Sequence, residues 1–367
     1  MQYFTVNHTY NIIFMCTLSS PSKYVLYESF MNLECSMASA SHCEDSATDS
    51  DTDSDDVTSV VIDIGSYMTK AGFAGDDAPK AVIPTTTVKT SSSDNLCLLH
   101  KASNCKKPLL RNPIEKGVVQ DWDGVEKLLS CCFQHELCVE STQNNVLLTG
   151  CFTDTAERMK IAEVMFEKFN VPGLYIGLQA IMALYSTGRT TGVVVDSGYE
   201  RTTVMPIHER RAVLDKSNHL DFGGKQVSAY LGRLLAKEGI KLDSKYELDS
   251  IKEHHCFVNL GSKAPNESTE DCTLFDGRKV TLKDERFYAL EPLFTPQIIG
   301  SDSVGLHTAV KDTISKCFPV PHPKLLYPNI VLTGGNTLFE GLDQGLKKQI
   351  TEIMPQWKAE KILYPIS

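Results

Sequence analysis

One repeated pattern restricts the fold of this chain more than any other feature: a short strand, an aspartate, a glycine-containing turn and a second strand. The first copy reads VVIDIGSYMTK and carries Asp63, and the second reads VVVDSGYERTT and carries Asp196. A single short turn of this kind is usually an ordinary β-turn. Two copies on matched strands place Asp63 and Asp196 at equivalent positions, and together with a third glycine-containing element at domain-like spacing they make a much rarer combination.

The third element completes a pattern that predicts a nucleotide site. The stretch NIVLTGGNTLFEGL predicts a strand that ends at Gly334 and Gly335 and opens a helix against a nucleoside. Backbone N–H groups in the glycine turns form nests for phosphate oxygens, and Lys70 adds a point charge. Asp63 and Asp196 would face one divalent cation through its water shell, because Mg²⁺ dehydrates reluctantly.

The pattern of the remaining chain predicts the fold class. From Val57 onward, short β-branched strands alternate with amphipathic helices, which is typical of an α/β fold. We expect helices over 122–137 and 154–171, a buried strand over 145–150, and a strand that turns into a helix within 173–188.

Composition excludes several classes of protein. The chain has 367 residues, 42% of them hydrophobic, so it can bury a sizeable core. Its net charge of -10 and the lack of a long basic stripe argue against direct nucleic-acid binding. No apolar run reaches the roughly 18 residues of a membrane helix. The cysteines form no C-x-x-C motif and no signal peptide is recognisable, so we expect a protein of a reducing, intracellular compartment.

The first 56 residues differ in composition from the rest. SASHCEDSATDSDTDSDD alternates serine or threonine with aspartate and has almost no apolar content. Such a segment cannot bury a core, so we expect residues 1–56 to be a disordered, acidic extension. It is either a phosphorylatable interaction tail or a solvated leader without a role.

Longer motifs carry a resemblance to a known family. They are KAGFAGDDAP, NPIEKGVVQDWD, LYSTGRTTGVVVDSG, DSIKEHHCFV, DERF and LTGGNTLFEGL, in this order from about Val60 to the end of the chain. The sequence resembles actin and the actin-related proteins. The resemblance implies the actin-like ATPase fold, with two duplicated α/β (ribonuclease-H-like) domains around a cleft that holds ATP or ADP with Mg²⁺ or Ca²⁺.

The same resemblance implies domain boundaries. We expect a first domain at 57–186 with a shortened insert at 85–112. We expect a second domain at 187–367 with an insert at about 223–300. The chain ends at KILYPIS, before the last helices of the family's first domain, so we expect those helices to be missing.

The resemblance also implies which residues form the site. The expected nucleotide-binding residues are Asp63, Gly65, Ser66, Lys70, Asp196, Ser197, Gly198, Gly224, Lys252, Glu253, Gly334, Gly335 and Phe339. Asp63 and Asp196 would hold the cation through water, and Gln179 would orient the attacking water. Without the resemblance, Gln179 is an ordinary polar residue of a half-buried helix, and Lys252 and Glu253 are an ordinary solvated helix face.

Several residues depart from the family pattern. Tyr199 and Glu200 replace an aspartate and a glycine of the second turn, Thr203 replaces a histidine, and Tyr67 replaces a turn glycine. A carboxylate at Glu200 about 6 Å from a phosphate would cost about 3 kcal/mol at an effective dielectric near 20. We therefore expect nucleotide binding with slow or absent hydrolysis.

Three functions agree with these observations. The first is an actin-related, ATP-binding cytoskeletal or scaffold component in the cytoplasm. The second is a nucleotide-degenerate actin-like subunit of a nuclear chromatin-remodelling or testis-type structural complex. The third is a sugar kinase or chaperone ATPase of the same superfamily. The shortened insert favours a hetero-complex with actin-like or actin-binding proteins over a homopolymer.

Overall fold

A computed structural model describes residues 3–6, 12–15, 59–89, 97–98, 109–150, 152, 154–242, 244–261, 269–319, 321–354 and 362–363. The strands are β1 (Tyr3–Val6), β2 (Ile12–Met15), β3 (Val60–Ile64), β4 (Met68–Phe73), β5 (Ala81–Pro84), β6 (Thr87–Lys89), β7 (Cys97–Leu98), β8 (Leu109–Arg111), β9 (Ile114–Glu115), β10 (Val118–Val119), β11 (Val146–Gly150), β12 (Leu174–Leu178), β13 (Gly192–Ser197), β14 (Thr202–His208), β15 (Arg211–Ala212), β16 (Asn218–Leu220), β17 (Glu270–Thr273), β18 (Lys279–Leu282), β19 (Ile330–Thr333) and β20 (Ile362–Leu363). The α-helices are α1 (Trp122–Cys131), α2 (Thr155–Glu163), α3 (Gln179–Ser186), α4 (Gly224–Lys237), α5 (Lys245–His255), α6 (Glu285–Tyr288), α7 (Leu306–Lys316), α8 (Pro323–Leu326) and α9 (Leu342–Ile353).

Two mixed sheets organise the chain into two lobes. The first lobe contains the sheet β12-β11-β3-β4-β5, and the second contains β15-β14-β13-β19-β20, with β16 added beside β14. In each sheet the strand that carries the repeated aspartate has an antiparallel neighbour on one side and a parallel neighbour on the other. The α/β fold with two duplicated halves is therefore confirmed.

The duplication extends to the register of the strands. Asp63 lies beside Thr149 of its parallel neighbour, and Asp196 lies beside Thr333 of its parallel neighbour. Each aspartate is at the carboxyl end of its strand, where open α/β sheets bind ligands. The fold thus places the two aspartates at equivalent ends of the two sheets.

Strand β13 shows why its sequence is a continuous apolar run. Val193 and Val195 are fully buried in a core shared with Val310 of α7. Val194 points to the opposite face and packs with Leu184 of α3. A strand that is covered on both faces needs apolar residues at every position rather than at alternate ones.

The predicted helices of the first lobe are confirmed, together with their starts. The Asp121 carboxylate accepts a hydrogen bond from the Gly124 backbone N–H at 3.1 Å and caps α1. The Asp154 carboxylate accepts from the Ala156 N–H at 3.0 Å and caps α2. Each helix continues into a π-helical turn, over 132–136 and 164–168, so the elements fill the spans expected from the sequence.

The glycine pair opens a short 3₁₀ helix rather than an α-helix. After β19 the chain forms a 3₁₀ turn over Gly335–Leu338, and α9 begins only after Gly341, whose φ is 80°. The Thr337 hydroxyl donates to the Gly334 carbonyl oxygen at 2.7 Å. Such local side-chain bonds compete with helix formation, which explains the later helix start.

Smaller elements lie outside the two main sheets. Strands β6, β7 and β8 form a three-stranded sheet within the insert at 85–112, and β17 pairs with β18. Strands β1 and β2 pair antiparallel and lie within the extension predicted to be disordered. Apart from residues 3–6 and 12–15, that extension lies outside the described residues and its disorder stays a prediction.

The helices that the structure describes include none with both the length and the apolar character needed to cross a membrane.

Candidate functional site

One end of the candidate site is built from the first hairpin and the start of α3. The Asp63 carboxylate accepts a hydrogen bond from the Gln179 amide nitrogen at 2.7 Å. Its other oxygen lies 3.6 Å from the Lys70 ammonium, which faces Asp63 across the hairpin. Three of the predicted site residues are therefore in contact, with Gln179 at the first position of α3.

Asp196 brings the second hairpin to the same place. Burial and, to a smaller extent, the negative charge of Asp63 raise its pKa to about 6, with Lys70 partly opposing the shift. The two carboxylates thus interact across the cleft, as a shared divalent cation requires. Gly334 fits closely here, because its φ is +89° and an added Cβ would lie 2.6 Å from an Asp196 carboxylate oxygen.

The two turns close in the same way. The Gly65 N–H donates to the Met68 carbonyl oxygen at 3.2 Å, and the Gly198 N–H donates to the Arg201 carbonyl oxygen at 2.9 Å. Both predicted glycine N–H groups are therefore used inside their own turns. The Ser66 carbonyl oxygen accepts from the Asn112 side chain at 2.6 Å.

The hydroxyl of Ser197 is committed to packing. The residue is fully buried, and its Oγ is 2.9 Å from Thr202 Oγ1 and accepts from the Asn336 amide at 3.1 Å. The Ser197 hydroxyl thus has two partners within the second lobe, and its role as a ligand contact stays a prediction.

Only some of the residues predicted to surround the nucleoside lie close together. A Cβ added to Gly224 would lie 2.8 Å from Asn336 Oδ1 and 3.4 Å from Lys252 Nζ, whereas one added to Gly335 would meet nothing within 4 Å. Glu253 is exposed on α5. Phe339 is 7% exposed and belongs to the hydrophobic core of the second lobe, and its place beside the base stays a prediction.

Lys252 is neither a solvated residue nor a free one. Its ammonium lies 3.2 Å from the Asp249 carboxylate, with both side chains almost fully buried, and it donates to Ser228 Oγ at 3.0 Å. The carboxylate lies one helical turn before the lysine, at an i,i+3 position. The charge that was predicted to face the base is therefore already paired within the protein.

Two tyrosines occupy the space between the hairpin turns. The rings of Tyr67 and Tyr199 are stacked, with centroids 4.4 Å apart and planes inclined by 22°. The Tyr67 hydroxyl donates to Asp249 at 3.1 Å. Burial raises the pKa of Tyr67 and the charge of Asp249 raises it further, so the phenol stays protonated and remains a donor.

Glu200 does not face a phosphate, contrary to the electrostatic cost expected from the sequence. It is 5% exposed, pairs with the Lys225 ammonium at 2.9 Å and accepts from the Lys116 backbone N–H. The Arg201 guanidinium donates to the Lys116 carbonyl oxygen. Glu200 and Arg201 of the second turn therefore both hydrogen-bond to Lys116 of the first lobe.

These contacts decide how well a nucleotide fits. In the part of the chain that the structure describes, no group of three or more His, Cys, Asp or Glu side chains is arranged to hold a metal ion. A cation beside Asp63 and Asp196 would therefore need water or phosphate ligands, which suits Mg²⁺. The two carboxylates suit a cation, whereas the two turns predicted to hold the phosphates carry the stacked rings of Tyr67 and Tyr199.

Sequence reasoning missed the partners that fill the cleft. Tyr67 and Tyr199 were noted as departures, but their contact was not predicted. Asp249 had a usable signal, since it lies three residues before Lys252 on a predicted helix. No sequence pattern predicted that Lys225 would pair with Glu200 or that Lys245 would lie over the Tyr199 ring.

A comparison with known protein families matches residues 54–250 and 243–365 to the family described as Actin. The match covers both hairpins, the glycine pair and helix α5, which are the elements that carry the candidate site. It agrees with the duplicated two-lobe fold and confirms the resemblance seen in the sequence. The chain belongs to the actin family.

Proposed function

We propose that this actin-family chain is an actin-related structural subunit, a cytoskeletal or scaffold component that turns over ATP slowly or not at all. The observation that carries the proposal is the second turn, where Tyr199 and Glu200 bond to the protein itself instead of leaving space for a phosphate. Its partners would be other actin-like or actin-binding proteins in a hetero-complex. We place it in the cytoplasm, with a nuclear or testis-type complex as the alternative setting.

The hydrolytic end supports this proposal. The Gln179 amide is bonded to Asp63, but the position of the family histidine holds Thr203, whose hydroxyl is 3.2 Å from His219 Nδ1. A threonine hydroxyl cannot accept a proton from water at neutral pH, whereas a catalytic base needs a pKa near the working pH.

Phosphate release under polymerising salt tests the proposal, with an ordinary actin measured in parallel. We expect a much lower rate for this chain and a higher rate for the variant Tyr199→Asp/Glu200→Gly/Thr203→His. The matched control is Ser217→His, which adds a histidine beside His219 without altering the turn. A wild-type rate equal to that of the ordinary actin would contradict the proposal.

A second candidate function is binding of ATP or ADP with Mg²⁺ or Ca²⁺ as a structural ligand. The cluster of Asp63, Lys70 and Asp196 favours it, because Lys70 supplies a cationic group and its side chain is 52% exposed. The tyrosine rings would have to separate for the phosphates to enter. The match to the actin family gives no support to a sugar kinase or chaperone ATPase.

Calorimetry with ATP and Mg²⁺ tests this second function. This second function requires measurable binding by the wild type, and loss of one charge-assisted contact in Lys70→Ala would then weaken it roughly 10- to 100-fold. Lys80→Ala is the matched control, because Lys80 lies over the Phe73 ring, 4.9 Å from its centroid, in the same lobe. Equal dissociation constants for wild type and Lys70→Ala would remove Lys70 from the site.

A further inference from the structure

We propose that the cleft is held closed by the chain's own side chains, through a clasp formed by Tyr67 of the first lobe and Tyr199 of the second. The clasp takes the place through which the phosphate chain of a nucleotide would pass. The closed arrangement of the lobes is then independent of any nucleotide. This inference deepens the proposed scaffold function and rests on it.

The first argument is the geometry of the two rings. They belong to turns of different lobes, one between β3 and β4 and the other between β13 and β14. Their centroid separation of 4.4 Å and inclination of 22° describe a stacked pair, an arrangement that stabilises beyond the burial of area alone. The stack is therefore a direct contact between the lobes.

A second contact starts from the same tyrosine. The Tyr67 hydroxyl donates to Asp249 at 3.1 Å, and Asp249 is on α5 of the second lobe. This carboxylate is 2% exposed and also holds Lys252 at 3.2 Å. Opening the cleft would leave a buried carboxylate with one partner fewer, which is costly.

Two ammonium groups complete the surroundings of the stack. Lys245 Nζ lies 4.8 Å from the Tyr199 ring centroid and 5.7 Å from that of Tyr67. Lys252 Nζ lies 5.6 Å from the Tyr199 centroid. These distances are within the range of cation–π attraction, so the cations that could attract a phosphate already have partners in the protein.

The residues next to Tyr199 join the lobes a second time. Glu200 accepts from the Lys116 N–H, and Arg201 donates to the Lys116 carbonyl oxygen. Lys225 neutralises Glu200 from α4. The turn that carries Tyr199 therefore contacts the first lobe at two places, Tyr67 and Lys116. Both contacts restrict the position of the Tyr199 ring.

A double-mutant cycle on the full chain, purified with EDTA, tests the clasp by thermal unfolding. We expect Tyr67→Ala and Tyr199→Ala each to lower Tm by roughly 2–8 °C, and the double variant to lose much less than their sum, because the second change removes a contact already lost. Phe275→Ala, at an aromatic residue that is 70% exposed, is the matched control and should leave Tm unchanged. Additive losses would overturn the clasp.

Nucleotide readouts complete the test. Wild type should carry no ATP or ADP when denatured and chromatographed, and ATP with Mg²⁺ should not shift its Tm. In Tyr67→Gly/Tyr199→Asp, which restores the family residues, ATP with Mg²⁺ should raise Tm by several degrees. Stoichiometric nucleotide in the wild type would overturn the proposal, even if a tyrosine variant fails to fold.

The clasp and the scaffold function fail on different results. Nucleotide bound tightly but not hydrolysed removes the clasp and leaves the scaffold function. An actin-like rate of phosphate release removes the scaffold function itself. Tyr67→Phe separates the two contacts of Tyr67, since it keeps the ring and loses the bond to Asp249. Its loss should add to that of Tyr199→Ala, because the stack is intact in the Tyr67→Phe variant; non-additivity of this pair would contradict stacking as the cause of the coupling.

Discussion

At the scale of single residues, the folded protein disfavours the ionised form of Asp196. Its pKa is raised from 3.8 to about 6 by burial and by Asp63, so the folded protein holds a proton that the unfolded chain has released. The stabilising contribution of the protonated form is present below about pH 4 and is lost as the pH rises through 6. At neutral pH the charged carboxylate therefore lowers the free energy of unfolding.

Asp196→Asn should consequently stabilise the protein at pH 7.5, by up to about 3 kcal/mol, since each pKa unit corresponds to about 1.4 kcal/mol. Near pH 4 the gain should disappear, because the aspartate is then protonated and resembles asparagine. Urea unfolding at both pH values measures it, with the exposed Asp77→Asn as control. An equal gain at both pH values would show that the effect is not one of ionisation.

At the scale of elements, helix α5 carries a buried ion pair between Asp249 and Lys252, and Asp249 also accepts a hydrogen bond from Tyr67. Asp249 and Lys252 are 2% and 3% exposed, and removing one partner of such a pair leaves an uncompensated charge. Asp249→Ala should therefore lower the free energy of unfolding by about 3–5 kcal/mol. Asp249→Leu/Lys252→Met should cost much less, because no charge remains buried.

Chemical unfolding of these variants, with Glu253→Ala as the control on the exposed face of the same helix, checks this prediction. A loss for the double variant as large as for Asp249→Ala would mean that packing, not the unpaired lysine, causes the effect.

The elements also show what the sequence could and could not predict. Helices α1 and α2 were predictable because their caps, Asp121 and Asp154, and their apolar spacing are local signals. The start of α9 was not, because a turn stabilised by Thr337 competes with the helix. The contact of Tyr67 with Tyr199 joins residues distant in sequence, and only the packing of the two lobes brings them together.

At the scale of the whole molecule, the proposed clasp would keep the two lobes closed without depending on nucleotide exchange. The resemblance implies that, in the family, a nucleotide bound between the lobes joins them. Here the tyrosine stack, the bond from Tyr67 to Asp249 and the contacts of Lys116 join them instead. The proposed clasp would leave the subunit without a nucleotide state to alternate between, which suits a fixed place in a complex rather than a dynamic filament.

Assembly is where this difference should be measurable. A filament repeats one head-to-tail contact that does not close. The resemblance implies that the insert at 85–112 would reach the next subunit and predicts that it is shortened; it contains the polar stretches TSSSD and KKP. Polar residues bury little apolar area, and each 1.4 kcal/mol lost per contact weakens it about tenfold. We therefore expect no long homopolymer, but a monomer or a subunit of a hetero-complex. Sedimentation at micromolar concentration with ATP, Mg²⁺ and salt, beside an ordinary actin, measures this; pelleted filaments visible by negative stain would falsify the prediction.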